Sequence, residues 1–167
     1  MSLKYTTKKM AAYQQKYMTK AIRLAIKNVK AGNGGPFAAV IVKDNKLIST
    51  GVNSVVPKND PTAHAEMMAI RNACKKLKTF QLDGCELYVN CEPCPMCLGA
   101  IYWSRIDNIY FSGDRNDAAG IGFDDLFIYE EINVPYLKRK IKTQKMKHPE
   151  TNLPFLAWLK KEDKTCY

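Results

Sequence analysis

Residues 85–111 read CELYVNCEPCPMCLGAIYWSRIDNIYF, and this stretch decides the fold. Its two ends, 85–90 and 106–111, are short apolar runs typical of buried strands. The segment between them, 95–103, begins with a proline, a residue that the first turn of a helix tolerates. A strand, a helix and a strand in this order predict two parallel strands with a helix that covers the sheet.

The N-terminal half of the chain adds two helices and a hairpin. Apolar positions in 7–30 follow a helical period. A glycine-rich stretch after residue 30 is predicted to end this helix. The runs 37–43 and 47–53 are apolar, and the turn residues between them predict an antiparallel hairpin. The next helix is predicted to begin at Asp60 as its N-cap, with Pro61 in the first helical position.

The C-terminal part of the chain contributes shorter elements. They are a loop over 112–122, a helix over 124–131, a weak strand near 141–146 and a final helix over 154–161. All these elements together predict an α/β fold, a three-layer α/β/α sandwich on a mixed five-stranded sheet. We expect a single domain over 1–167, because no repeat, linker or low-complexity segment divides the chain.

Composition and charge exclude several classes of protein. Hydrophobic residues make up 46% and charged residues 25% of the 167 residues, which is typical of a globular protein. No apolar run approaches the ~20 residues that a membrane span needs, so we expect no membrane partner. The first five residues lack the apolar core of a secretory signal, so we expect a cytoplasmic protein. The net charge is +10, but only five of the 26 basic residues are arginine, which disfavours nucleic acid as a partner.

The six cysteines include a pair with the spacing of metal ligands. Cys74 and Cys85 lie among apolar neighbours and are expected to be buried, unreactive thiols. Cys94 and Cys97 lie three residues apart at a predicted helix start, so both thiolates can face one ion. The positive end of the helix dipole helps to keep two such thiolates anionic.

A histidine and a glutamate near another helix start complete the candidate site. His64 would be the third zinc ligand. Glu66 is rotated from His64 by about 200° on a helix. We therefore expect Glu66 to act on the water beside the metal rather than on the metal itself.

Two other interpretations of the cysteine pair are possible. A redox pair would use neither His64 nor Glu66. A structural zinc site needs a fourth strong ligand, for which Cys91 and His148 are the candidates. Cys91 lies at a strand end and His148 in a lysine-rich segment, so we favour a catalytic zinc with three protein ligands.

These residues carry a resemblance to a known family. His64-Ala65-Glu66 followed by Pro93-Cys94-Pro95-Met96-Cys97 resembles the signature of the zinc deaminases. The chain is similar to the cytidine-deaminase superfamily and, within it, to the bacterial-type guanine deaminases. The matching stretches are 34–37, 59–70, 91–102, 122–125 with its Phe-Ile-Tyr continuation, and 154–158. The resemblance implies a cytidine deaminase-like fold, one Zn²⁺ per subunit and hydrolysis of guanine to xanthine and ammonia.

The resemblance also implies which residues form the active site. Glu66 and Asp125 would be catalytic, with Glu66 as general base and then general acid. The positions that would surround the purine are Phe37, Asn53, Ala65, Trp103, Asp125 and Tyr167. Each has an ordinary structural alternative: core packing for Phe37 and Trp103, a helix cap for Asp125 and a frayed terminus for Tyr167.

The family further implies a homodimer in which the C-terminal segment 148–167 covers an active site, either that of its own chain or that of the partner subunit. Three other functions stay open at this point. They are deamination of tRNA adenosine to inosine, deamination of another nucleobase or nucleoside, and a non-catalytic zinc-stapled interaction module. The last of these would have no use for Glu66.

Overall fold

The computed structural model describes residues 10–166. These residues divide into two units, one that ends at Leu126 and one that begins at Phe127. None of the described helices is both long enough and apolar enough to cross a bilayer.

The first unit contains one mixed sheet. Its strands are β1 (Ala38–Lys43), β2 (Lys46–Val52), β3 (Cys85–Cys91) and β4 (Asn108–Gly113). They lie in the order β2-β1-β3-β4. Strand β1 pairs antiparallel with both β2 and β3, and β3 pairs parallel with β4, as the predicted strand–helix–strand unit requires.

The described helices are α1 (Gln15–Lys30), α2 (Val55–Lys58), α3 (Ala65–Leu77), α4 (Pro95–Ser104), α5 (Arg115–Ala119), α6 (Leu126–Asn133) and α7 (Leu153–Lys160), with a 3-10 turn at Tyr136–Lys138. Helix α1 packs on one face of the sheet, and α3 and α4 pack on the other. The alternation of side chains along β1 explains both contacts. Ile41 lies in the core beneath α3 and α4, whereas Val40 and Val42 lie in the core beneath α1. The predicted three-layer α/β/α fold is therefore confirmed.

Helix α3 lies unusually close to β2. A Cβ atom at Gly51 would lie 2.1 Å from the carbonyl oxygen of Ala65 and 2.4 Å from the backbone nitrogen of Ala69. Only glycine permits this approach. The close contact sets the position at which α3 begins.

The prediction of five strands is wrong for the described residues, which form four. Residues 141–146 are irregular instead of a fifth strand. Ile141 is 81% exposed and Met146 is 71% exposed, so neither gains the burial that stabilises a half-buried strand. Four lysines or polar residues separate these two apolar positions and provide no alternating apolar face.

Several predicted boundaries also differ. Helix α3 does not begin at Asp60, because the Asp60 carboxylate instead accepts hydrogen bonds from the backbone N–H and the hydroxyl of Thr62 at 2.8 and 2.7 Å. His64 is the N-cap of that helix. The helix predicted from residue 7 begins at Gln15, and the loop predicted over 112–122 contains α5.

Candidate metal centre

Helix α3 places His64 and Glu66 at its N-terminus. His64 is the N-cap, with extended backbone angles, and Glu66 lies in the first turn. A hydrogen bond of 2.9 Å from the Ser54 N–H to the Ala63 carbonyl ties the segment after β2 to the residue before His64. The His64 side chain is half-buried, whereas Glu66 is only 6% exposed.

Helix α4 places the two cysteines in an equivalent position. Cys94 is the N-cap of this helix and Pro95 is its first residue. Cys97 follows in the first turn and is fully buried. The predicted helix start is therefore confirmed, and both sulfur atoms lie on the face that meets α3.

The three candidate ligands converge on one point. The His64 Nδ1 atom lies 3.6 Å from the Sγ atom of Cys94 and 3.6 Å from that of Cys97. All three potential ligand atoms lie within 4.8 Å of one another. A tetrahedral zinc with Zn–S and Zn–N bonds of about 2.3 and 2.0 Å separates sulfur from nitrogen by about 3.6 Å. The donor atoms and their spacing therefore fit zinc.

The other predicted candidates for a fourth ligand lie elsewhere. The Cys91 thiol donates to the Asp114 carbonyl at a sulfur–oxygen distance of 3.5 Å. Burial raises the pKa of Cys91 to about 11, which opposes the thiolate form that a metal ligand needs. The His148 Nδ1 atom accepts a hydrogen bond from the Glu150 N–H at 3.2 Å, in the second unit. Within residues 10–166, the cluster therefore consists of three protein ligands, as catalytic zinc sites do.

Electrostatic interactions favour a thiolate in the cluster. Hydrogen bonds of the Cys94 sulfur with the Cys97 thiol and with the His64 ring lower the pKa of Cys94 to about 4 against the opposing effect of burial. The same contact with Cys94, together with burial, raises the pKa of Cys97. The hydrogen bond to Cys94 also raises the pKa of His64.

Glu66 has the surroundings of a proton carrier. Burial raises the pKa of Glu66 to about 7, although hydrogen bonds from the Glu66 backbone and the Cys97 thiol lower it. A carboxyl group whose pKa lies near neutrality can both accept and release a proton at physiological pH. Its position beside the three ligands gives the cluster an acid–base group.

The comparison with protein families agrees with this chemistry. The profile of the cytidine and deoxycytidylate deaminase zinc-binding region matches residues 11–113. The chain belongs to the cytidine and deoxycytidylate deaminase family. The prediction of zinc as the cofactor is thereby confirmed, since the family's zinc-binding region contains a cluster that fits this metal.

Individual relatives of this deaminase are informative about the rest of the chain. The guanine deaminase of Bacillus subtilis is 53% identical over 142 residues, which cover 85% of this chain and 91% of that protein. The crystal structure of a guanine deaminase from Bacillus subtilis has a TM-score of 0.91 at 49% identity, over 93% of this chain and 99% of that one. A tRNA-specific adenosine deaminase of Aquifex aeolicus is 43% identical over 107 residues, or 64% of this chain and 68% of that protein.

Three of the residues predicted to surround a purine are connected to the cluster of this deaminase or to one another. Asn53 directly precedes Ser54, whose N–H donates to the carbonyl of Ala63, the residue before His64. The Phe37 ring meets the Phe123 ring edge to face, with ring centroids 4.9 Å apart. Asp125 follows two residues later, and burial and the negative charge of Cys94 raise the pKa of its carboxyl group.

The remaining predicted residues have different positions. Ala65 is fully buried at the first position of α3. Trp103 is 59% exposed in the last turn of α4, about 9 Å further along the helix axis than Cys97. Tyr167 lies outside the described residues.

The sequence interpretation missed an ion pair beside the metal centre. The guanidinium of Arg115 contacts the Glu92 carboxylate through Nη2 at 2.6 Å and through Nε at 3.2 Å. The capping box of α5, in which Asp114 and Asp117 bond each other's backbone, holds Arg115 in place. The Asp-x-x-Asp spacing at 114–117 is a signal that could have predicted this short helix.

Proposed function

We propose that this deaminase hydrolyses guanine to xanthine and ammonia, with one zinc ion in each subunit. The observation that carries this proposal is the 53% identity to a guanine deaminase over 91% of its length. That similarity extends well past residue 113, where the match to the zinc-binding region ends. The alignment with the tRNA-specific adenosine deaminase covers only 64% of this chain.

His64, Cys94 and Cys97 would hold the zinc ion, because their ligand atoms have the spacing that a tetrahedral site requires. When bound, zinc lowers the pKa of water, so that the nucleophile is available at neutral pH. The protein's own contribution is to fix the ligands on two helix starts and to hold Glu66 beside them.

Glu66 transfers the protons of the reaction. It accepts a proton from the attacking water and delivers it to a ring nitrogen next to the carbon that bears the amine. It then carries the second proton to the departing amine, which leaves as ammonia. Its burial supports this role, because few water molecules can exchange protons with a side chain that is 6% exposed.

The surroundings of three residues support the substrate-binding roles that we propose for them. Phe37 offers an apolar surface to the purine. Asn53 and Asp125 offer polar groups to the edge of the ring, and Asp125, near the leaving amine, assists Glu66 in the transfer of the second proton. Ala65, Trp103 and Tyr167 complete the proposed purine site.

The cytoplasmic location stays a prediction.

The proposal includes a homodimer in which residues 148–167 of each chain cover the active site of the other. None of the described residues from 127 to 166 is buried. The large exposed apolar side chains of residues 127–166 are Phe127, Ile132, Tyr136, Leu137, Ile141, Met146, Leu153, Phe155, Leu156, Trp158 and Leu159. Exposure of so much apolar surface is typical of a segment that another protein surface covers. Sedimentation equilibrium should give a dimer, and an active monomer at micromolar concentration would contradict this part of the proposal.

One assay tests the reaction. Zinc-loaded protein is incubated separately with guanine, with adenine, with cytidine and with a tRNA anticodon stem-loop, and ammonia release is measured. We expect ammonia and xanthine from guanine at a rate at least about 100-fold above the rates with the other substrates. Inosine formation in the stem-loop without action on guanine would instead support a tRNA adenosine deaminase.

A further inference from the structure

Asn28 is a buried polar residue on the apolar face of α1. It follows Ala21 and Ala25 on the side of the helix that faces the sheet and is 4% exposed. Its side-chain amide donates two hydrogen bonds, at 3.0 Å to the Gly35 carbonyl and at 2.9 Å to the Asn53 carbonyl. A single buried NH₂ group therefore joins the loop before β1 to the residue after β2.

Asn90 forms a second set of hydrogen bonds with the same loop. It lies near the end of β3, next to the cysteine-containing loop. Its amide nitrogen donates to the Pro36 carbonyl at 2.9 Å, and its amide oxygen accepts from the Ala38 N–H at 2.7 Å. The two asparagines together satisfy the carbonyls of Gly35 and Pro36, which no regular strand pairing satisfies.

The loop held by these two asparagines, which we call clamps, contains Phe37 and is bonded to Asn53, two of the proposed purine-binding residues. The Asn53 N–H donates to the Phe37 carbonyl at 2.9 Å. The backbone approach is so close that a Cβ atom at Gly34 would lie 2.6 Å from the Asn53 carbonyl oxygen. Phe37 in turn packs on Phe123, close to Asp125 in sequence. A shift of this loop would therefore displace both Asn53 and Phe37.

The same contacts orient the Asn53 side chain. Its Oδ1 atom faces the backbone N–H groups of Gly35 and Val55, each at 3.4 Å. Both partners are donors, so the amide oxygen must be the atom that faces them. The NH₂ group is then the end that faces away from the backbone and can donate to a ligand.

We propose that Asn28 and Asn90 are positioning residues that fix the Gly34–Ala38 loop and thereby hold Asn53 and Phe37 in the geometry that binds the purine. Neither asparagine contacts the zinc ligands in the described hydrogen bonds, so their effect on the substrate passes through the loop and Asn53 rather than through the metal. Because the ground state and the transition state both use the bound purine, we expect the loss of a clamp to raise KM more than it lowers kcat.

The test compares isosteric variants that remove amide donors. Asn28→Asp replaces both donors with acceptors that face two carbonyls, whereas Asn90→Asp removes one donor and keeps the acceptor for Ala38. Asn72→Asp is the matched control, because Asn72 also donates to a strand carbonyl, that of Thr50 at 2.9 Å, but on the exposed surface. For each zinc-loaded variant, kcat and KM for guanine, zinc content and the thermal midpoint are measured.

We expect KM to rise about tenfold or more for Asn28→Asp and by a smaller factor for Asn90→Asp, with kcat within about threefold of wild type. Zinc content should stay at one per chain, and Asn72→Asp should keep the wild-type KM. An unchanged KM in both clamp variants would overturn the proposal, even if the thermal midpoint falls, since stability alone would then explain the residues. If Asn28→Asp fails to fold, the result for Asn90→Asp decides.

The kinetic test rests on the proposed guanine deamination, so a second measurement is independent of substrate. Amide hydrogen exchange at Ala38 and Asn53 reports on the two bonds within the loop. Faster exchange at these amides in Asn28→Asp, with unchanged exchange in Asn72→Asp, supports the clamp whether or not guanine is the substrate. Wild-type exchange rates in the clamp variants would contradict it.

Discussion

The region up to residue 126 and the region from 127 to 166 stabilise their structures in different ways. In the first, two apolar clusters on opposite faces of the sheet contain fully buried side chains such as Ile41, Leu87 and Tyr88. In the second, no described residue is buried, although apolar residues are frequent. The first region thus has the core that a stable fold needs, whereas the described part of the second leaves its apolar side chains exposed.

The two regions also differ in the roles that we assign to them in the reaction. The zinc ligands and Glu66 lie on α3 and α4, which pack on the sheet, so their geometry depends on a well-packed core. We proposed that residues 148–167, at the end of the second region, cover an active site. Changes in the first region should therefore abolish zinc binding or catalysis, whereas changes in the second should leave the zinc in place.

The largest expected effect comes from a zinc ligand. Cys97→Ala removes one of three protein ligands, so we expect zinc content to fall well below one per chain and guanine turnover to fall about 10⁴-fold or more. Cys74→Ala is the control, because Cys74 is a half-buried thiol on α3 outside the cluster. Full activity of Cys97→Ala would contradict the metal assignment. Metal analysis and ammonia release check both variants.

A smaller effect is expected from truncation of the second region. Removal of residues 148–167 should lower kcat/KM for guanine by about 10–100-fold, because an uncovered site admits water and loses contacts to the purine. Zinc content should be unchanged. The control replaces Lys160 and Lys161 with alanine, which keeps the length of the segment. Unaltered kinetics of the truncated protein would show that the segment has no part in the active site.

The smallest expected effect is on stability, and it compares a leucine of the first region with a leucine of the second. Leu87 is fully buried, so Leu87→Ala should lower the free energy of unfolding by about 3 kcal/mol. Leu159 is 66% exposed, so Leu159→Ala should change the stability of the single chain by less than about 0.5 kcal/mol. Urea unfolding at low protein concentration measures both. A large loss from Leu159→Ala under these conditions would mean that the second region has a core of its own.

The sequence predicted the parts of the site that depend on local spacing. Cys94 and Cys97 are separated by nearly one helical turn and follow a proline-marked helix start, so their common face could be inferred. The clamp by Asn28 could not be inferred, because its partners are two carbonyls that only the folded sheet brings together. A polar residue on the apolar face of α1 was the available signal.

The predicted fifth strand is a feature that the sequence predicted wrongly. Local β propensity near residues 141–146 is weak, and strand formation depends on a neighbouring strand with which to pair. Asp60 is a similar case, since its side chain satisfies the backbone of a local turn instead of capping a helix. The first error concerns a segment without an alternating apolar face, and the second a side chain with a competing local hydrogen-bond partner.

The measurement that tests the central claim most directly is the activity of Glu66→Gln with its metal content determined on the same sample. The substitution keeps the size of the side chain and removes its ability to carry protons. We predict one zinc per chain, as in the wild type, and a fall in xanthine formation from guanine of about 10³-fold or more. Near-normal xanthine formation by the zinc-loaded variant would contradict the account, because another group would then have to move the protons.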